Sequence, residues 1–193
     1  MWVWLSWKMD VWHTPYAQRS HSPGIIPGMT PIPPFIYTLC FPTRGDLVLM
    51  LHRAKAPNRG LWNGVGGHIE AGETPTACIL REVEEETGFH LDRAHFGGIL
   101  TWEGYEAPAG GLYIFTAEAP AEWGEPAGDG DGEGVLEWKP RQWVFHSPEV
   151  VSNIHLFLPR VLNGAPPQAY HFVYQDGQVV GHEIKPLPPH LVI

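Results

Sequence analysis

The sequence predicts an α/β fold closed by a C-terminal β-hairpin, on three observations. Short apolar runs of strand length recur along the chain from residue 35 onward, separated by glycine, proline and aspartate turn signals. Two segments, 74–88 and 153–162, read as helices instead, the first by its end signals. Asp176-Gly177 stands between two alternating runs, a strong two-residue hairpin signal.

In order along the chain, 35–41 and 47–52 read as strands joined by a turn at Thr43-Arg44-Gly45-Asp46. The first helix starts where Thr74 can cap it, and Pro75 suits the first turn because its missing N–H would have had no partner. Gly88 follows the last periodic residue, where a left-handed stop costs glycine least. Strands at 99–102 and 112–118 flank a Gly/Pro-rich loop at 104–111. An acidic loop, 124–134, leads back to a strand at 135–139. The second helix spans 153–162, with Pro159 either kinking it or marking its start. Strands at 169–174 and 178–184 form the hairpin. No internal repeat is visible.

At 193 residues the chain can bury one full-sized core. A net charge of −9 argues against duplex nucleic acid or an anionic membrane as a partner. It does not argue against a polyphosphate, because bound cations reverse the local field. Cys40 and Cys78 sit in apolar or helical context, more in keeping with buried thiols and a reducing cytoplasm than with a disulfide. No run approaches the roughly 18 apolar residues that span a bilayer. Residues 1–30 differ from the rest: four of nine tryptophans fall within the first twelve positions, and no period follows. They lack the layout of a signal peptide and have only Lys8 and Arg19 to meet lipid charge. They are expected to be a poorly ordered extension, with a single folded domain at 31–193.

The chemistry is concentrated at 67–89, GHIEAGETPTACILREVEEETGF. Glu82, Glu85 and Glu86 stand at i, i+3 and i+4, so a helix presents all three carboxylates on one face. Ala77, Leu80 and Val83 are expected on the opposite side, against a sheet. Like charges so placed cost a few tenths of a kcal/mol per pair, and a hard divalent cation relieves that repulsion. Most glutamate clusters are simply solvated, but here the register is fixed over a long span. Gly67, Glu73, Arg81, Glu82, Glu85, Glu86 and Gly88 fill seven set places, a chance match on the order of one in 10⁸ to 10⁹ at a given start. The segment resembles the Nudix box, departing only at Phe89, where the family usually has an aliphatic residue.

The resemblance implies an α/β/α sandwich with a mixed, curved β-sheet between helices. It implies a hydrolase of nucleoside diphosphates linked to another moiety, working with Mg²⁺ (Mn²⁺ as the alternative) held by the Gly67 carbonyl, Glu82, Glu85 and Glu86. The glycines of 64–67 would let the backbone come close to ligand or metal. By the same resemblance Arg81 pairs with Glu73 as an orienting group, one glutamate is the general base (Glu82, with Glu85 as the alternative), and Glu133 is a further ligand. Asp129 and Asp131 compete with Glu133, as does plain solvation of the loop.

For the substrate, 61–73 (LWNGVGGHIEAGE) resembles the MutT-type branch that hydrolyses oxidised purine triphosphates such as 8-oxo-dGTP. In some members of that branch an Asn at the place of Asn63 hydrogen-bonds the base edge, which an amide can do as donor and acceptor; a turn amide is the plainer alternative. Asn153 matches a polar place on the same pocket, and Arg53 is assigned with these two to substrate binding. Trp138, Trp143 and Phe145 are either stacking surfaces or core. The competing substrate is a dinucleoside polyphosphate, for which Tyr105 is the signal. An ADP-ribose substrate is disfavoured because Pro108 is out of step. A Nudix-like domain that binds without cleaving is disfavoured by the complete set of box glutamates. The expected partner is a nucleotide, and the chain a cytoplasmic monomer or homodimer.

Overall fold

β1 (Phe35–Arg44) turns at Gly45, whose φ of 58° suits a residue without Cβ, into β2 (Leu47–Arg53). Then follow β3 (Trp62–Asn63), α1 (Pro75–Thr87), β4 (His95–Glu103), β5 (Gly110–Glu118), β6 (Gly134–Pro140), α2 (Arg141–His146), α3 (Ile154–Leu162), β7 (Gln168–Gln175) and β8 (Gln178–Pro186). The computed structural model describes residues 35–107, 110–120, 122–126 and 132–187. The expected extension at 1–30 lies outside these, as do Pro108, Asp129 and Asp131.

Among the described residues the strands form one eight-stranded sheet in the order β3-β2-β1-β5-β4-β7-β8, with β6 also paired to β2. The β1/β5 and β4/β7 pairs are parallel and the rest antiparallel, so the sheet is mixed. The β7–β8 turn puts Asp176 at φ 52° and Gly177 at φ 75°, the geometry a primed turn demands.

Alternating side chains cover both faces of the sheet. Leu39, Phe41, Val48 and Met50 point to one side, where α3 adds Ile154, Phe157 and Leu158. Cys40, Leu49 and Leu51 point to the other, where α1 adds Ile79 and Val83. Phe157, fully buried with its ring 5.8 Å from Phe41, contributes on the order of 1.5–3 kcal/mol by its removal from water.

Two expectations change and one alternative is settled. The buried stripe of α1 is Cys78, Ile79, Val83 and Thr87, while Ala77 is exposed and Leu80 half-buried. Steps of three residues drift about 60° backward around a helix, so Ala77 lies far round from Val83, whereas 79, 83 and 87 stay in line. Of the two alternatives for Pro159, the structure takes the one inside the helix, since α3 runs Ile154–Leu162. Finally, α2 and the two-residue β3 have no counterpart among the expected elements, being too short to show a period.

Candidate active site

The site is built on β1. The glycine-rich loop after β3 runs antiparallel along this strand, bonded by Cys40 N–H to Val65 O at 2.7 Å and Thr38 N–H to Gly67 O at 2.9 Å. Side chains would block that approach. A Cβ on Gly66, already at φ 146°, would stand 2.3 Å from the Thr38 carbonyl oxygen, and one on Gly64 2.6 Å from that of Cys40. A Cβ on Gly67 would instead meet the Glu82 carboxylate at 2.5 Å. The loop therefore ends with a glutamate lying directly on a bare Cα.

α1 supplies the acids. Thr74 Oγ1 caps it by accepting from Ala77 N–H at 3.1 Å, and Gly88 stops it at φ 71°. Glu86 turns inward and accepts from Gly66 N–H at 3.0 Å, and its burial pushes its carboxyl up to about 8. Glu82 is also held above the ordinary range, because burial outweighs its bond from Arg81. Glu85 is the exposed member of the three.

Arg81 ties these groups together. Its Nε and Nη2 donate to Glu73 Oε1 and Oε2, each at 2.9 Å, which holds the Glu73 carboxyl down at about 2. Nη1 donates to Glu82 at 2.7 Å and to Glu85 at 3.2 Å, and Nη2 also reaches the His68 carbonyl at 3.1 Å. Behind it, the buried thiol of Cys78 lies 3.3 Å from Thr38 Oγ1 and joins the helix to β1.

A second group of charges stands beside Glu86. Glu133 is bonded by Lys55 Nζ at 2.9 Å and lies 3.9 Å from Arg53 Nη2. The charges of both Arg53 and Glu133 act on Glu86, which puts these two side chains near it. Arg53 is buried, with Nε donating to Pro57 O at 2.8 Å. The Tyr105 hydroxyl donates to Asn58 Oδ1, its ring lies 4.7 Å from that of Tyr174, and Asn153 lies at the Tyr174 hydroxyl. Burial pushes the Tyr105 hydroxyl up to about 12, so it stays a donor.

The remaining candidates are arranged differently. Asn63 Oδ1 accepts from its neighbour Gly64 N–H at 2.9 Å, the bond of a turn amide. Trp138 lies under the Arg44 guanidinium, 4.4 Å from its ring, and Trp143 packs edge-on to Trp62 at 5.9 Å. Phe145 packs on the same core as Trp143. The sequence reading did not single out Lys55, Asn58 or Tyr174, whose contacts join segments far apart in the chain and leave no local pattern.

Comparison with known proteins decides the family. The model of the NUDIX domain matches residues 34–181. The chain belongs to the Nudix family. A Nudix hydrolase of Bacillus subtilis described as uncharacterised, YvcI, is 30% identical over 62% of this chain and 74% of its own length. The mouse oxidized purine nucleoside triphosphate hydrolase is 32% identical over 43% of this chain, a match spanning 54% of that protein. Among solved structures, a MutT protein of Bacillus halodurans superposes with a TM-score of 0.64 and 29% identity, covering 79% of this chain and 98% of that one. The eight-stranded mixed sheet between helices is the Nudix α/β/α sandwich. As a Nudix pyrophosphohydrolase, the chain acts on phosphoanhydride bonds.

Nudix hydrolases generally use divalent cations, and the residues here fit that use. The donors near Gly66 and Gly67 are carboxylate and carbonyl oxygens, the set a hard cation takes. Glu86 is a buried carboxylate with one N–H bond, costly to keep charged without a cation beside it. Among the described residues no three His, Cys, Asp or Glu side chains converge as a metal cluster, and Arg81 bonds both Glu82 and Glu85. No helix of the described residues is long and apolar enough to cross a membrane.

Proposed function

We propose that this protein hydrolyses a nucleoside triphosphate carrying an oxidised purine, such as 8-oxo-dGTP, to the monophosphate and pyrophosphate with Mg²⁺ or Mn²⁺. The observation that carries the reading is the seating of Glu82 and Glu86 on the glycine loop, one on the bare Cα of Gly67 and the other on the N–H of Gly66. Gly67, Glu82, Glu85 and Glu86 would hold the cation, with Glu133 as a further ligand. A divalent cation bound there would supply charge neutralisation for the phosphoryl oxygens and would make water more acidic. Glu82 takes the proton from the attacking water, with Glu85 as the alternative base. Arg81 and Glu73 orient these carboxylates, and Arg53 meets the phosphate chain. Asn63 and Asn153 read the base.

The oxidised purine is supported by similarity to the mouse enzyme and by Asn63 lying in β3, beside the glycine loop. Tyr105, the residue that would favour a dinucleoside polyphosphate, has its hydroxyl on Asn58 and its ring against Tyr174, so it is not a free stacking platform. The test compares initial rates and products on 8-oxo-dGTP, dGTP, diadenosine tetraphosphate, ADP-ribose and a nucleotide sugar. The expected result is cation-dependent pyrophosphate release, fastest on 8-oxo-dGTP. A diadenosine tetraphosphate rate about tenfold higher would overturn the substrate. Glu85→Gln, at an exposed position, should fold normally and lose turnover; normal turnover in it would overturn the mechanism.

A further inference from the structure

The geometry points to Tyr105 as a positioning residue, which aims Arg53 at the substrate's phosphate chain through Asn58 and the carbonyl of Pro57. The inference rests on the phosphoanhydride-cleaving reading of the site and adds the device that sets its phosphate contact.

The loop at 54–60 leaves β2 at Arg53 and folds back on it, with Gly60 N–H on Arg53 O at 2.8 Å and Arg53 N–H on Leu61 O at 3.0 Å. At its centre Asn58 sits at φ 65°, a left-handed conformation that asparagine tolerates better than most residues. The next residue back, Pro57, gives its carbonyl to Arg53 Nε at 2.8 Å. A guanidinium is planar, so fixing Nε in a bond fixes the plane in which both terminal nitrogens point. Tyr105 acts on this arrangement from outside the loop, across 47 residues of sequence. Its hydroxyl holds the Asn58 side chain, and its ring rests on Tyr174 of β7, itself buried in the core. The tether thus runs from the rigid sheet to the loop carbonyl that Arg53 Nε bonds. Arg53 in turn faces the acids, with Glu133 at 3.9 Å and its charge acting on Glu86. An arginine set there can pair with phosphate oxygens only if its plane is kept, which makes the tyrosine part of substrate affinity rather than of bond breaking.

The experiment measures inorganic pyrophosphate binding to the full chain in Mg²⁺ by titration calorimetry, for wild type, Tyr105→Phe, Arg53→Ala and the double variant. Tyr105→Phe keeps the ring and removes the tether. It should weaken pyrophosphate by about five- to tenfold, and Arg53→Ala by at least as much, the scale of a lost charged hydrogen bond. In the double variant the loss of the hydroxyl should add less than about twofold, because the group it positions is gone. With any nucleotide that is turned over, Tyr105→Phe should raise KM by the same factor and leave kcat within about twofold. Should Arg53→Ala melt early, Arg53→Lys keeps charge while losing the planar contact and replaces it. Wild-type affinity in either single variant, a full Tyr105→Phe penalty persisting without Arg53, or a fall in kcat at constant KM each overturns the inference. The pyrophosphate probe carries no base, so a failed preference for oxidised purines would sink the proposed substrate and leave this result standing.

Discussion

Arg81 and Glu73 are joined by two parallel bonds of 2.9 Å, Nε to Oε1 and Nη2 to Oε2, so that the loop before α1 is fastened to the second turn of the helix. The fork holds the Glu73 carboxyl at about 2 against an ordinary 4.5. A carboxyl depressed by folding adds stability that is present above its unfolded value and lost as pH falls toward its folded one. Wild type should therefore lose this contribution between about pH 4.5 and 2, and Glu73→Gln should show a shallower decline over that window. Urea unfolding at a series of pH values checks it; equal slopes would show the fork to be worthless. Near neutral pH the same substitution should cost about 1–2 kcal/mol, since the pair is only partly exposed.

Adjacent glycines should fail in opposite ways. Gly66→Ala places a Cβ against a backbone oxygen at positive φ and should destabilise the fold by about 1–3 kcal/mol. Gly67→Ala meets only the movable end of Glu82, so its melting temperature should stay near wild type while kcat/KM falls by about 100-fold or more. Thermal melts and rates on both variants make the comparison. Full activity in Gly67→Ala would mean the seating of Glu82 is incidental.

Glu86→Gln separates stability from function. Replacing a buried carboxylate by its neutral isostere should leave the cation-free melting point equal or higher. Added Mg²⁺ or Mn²⁺ should raise the wild-type melting temperature and not that of the variant, because a ligand stabilises only the state it binds. A cation-induced shift of wild-type size in Glu86→Gln would remove this residue from the metal set.

Asn63→Ala tests base reading apart from cleavage. If the amide meets the purine, kcat/KM on 8-oxo-dGTP should drop about 10- to 100-fold while dGTP hydrolysis changes less. Equal losses on both nucleotides would reduce Asn63 to its bond with Gly64.

How much the sequence revealed depended on distance along the chain. Thr74, Pro75 and Gly88 marked both ends of α1 because caps are local chemistry, and Asp176-Gly177 marked its turn for the same reason. The side of α1 that is buried was misread at Ala77, since steps of three residues drift around a helix and carry Ala77 off the stripe of 79, 83 and 87. α2 carries Trp143, Val144 and Phe145 in succession, a run that shows no helical period in six residues. Within the site, the acids and Arg81 share one helix and were legible together. The contacts of Asn58 with Tyr105, and of Lys55 with Glu133, span 47 and 78 residues and exist only once the sheet has formed.

The glycine loop's attachment to β1 has a further consequence. β1 carries that loop along one edge and β5 along the other, so the loop and the glutamates seated on it are anchored at the centre of the sheet. The segments at 54–60 and 104–107, which hold Asn58 and Tyr105, hang from strand ends instead. On the roles proposed above, changes confined to those two segments would tune how tightly phosphate is held while the glycine loop and its glutamates keep their alignment.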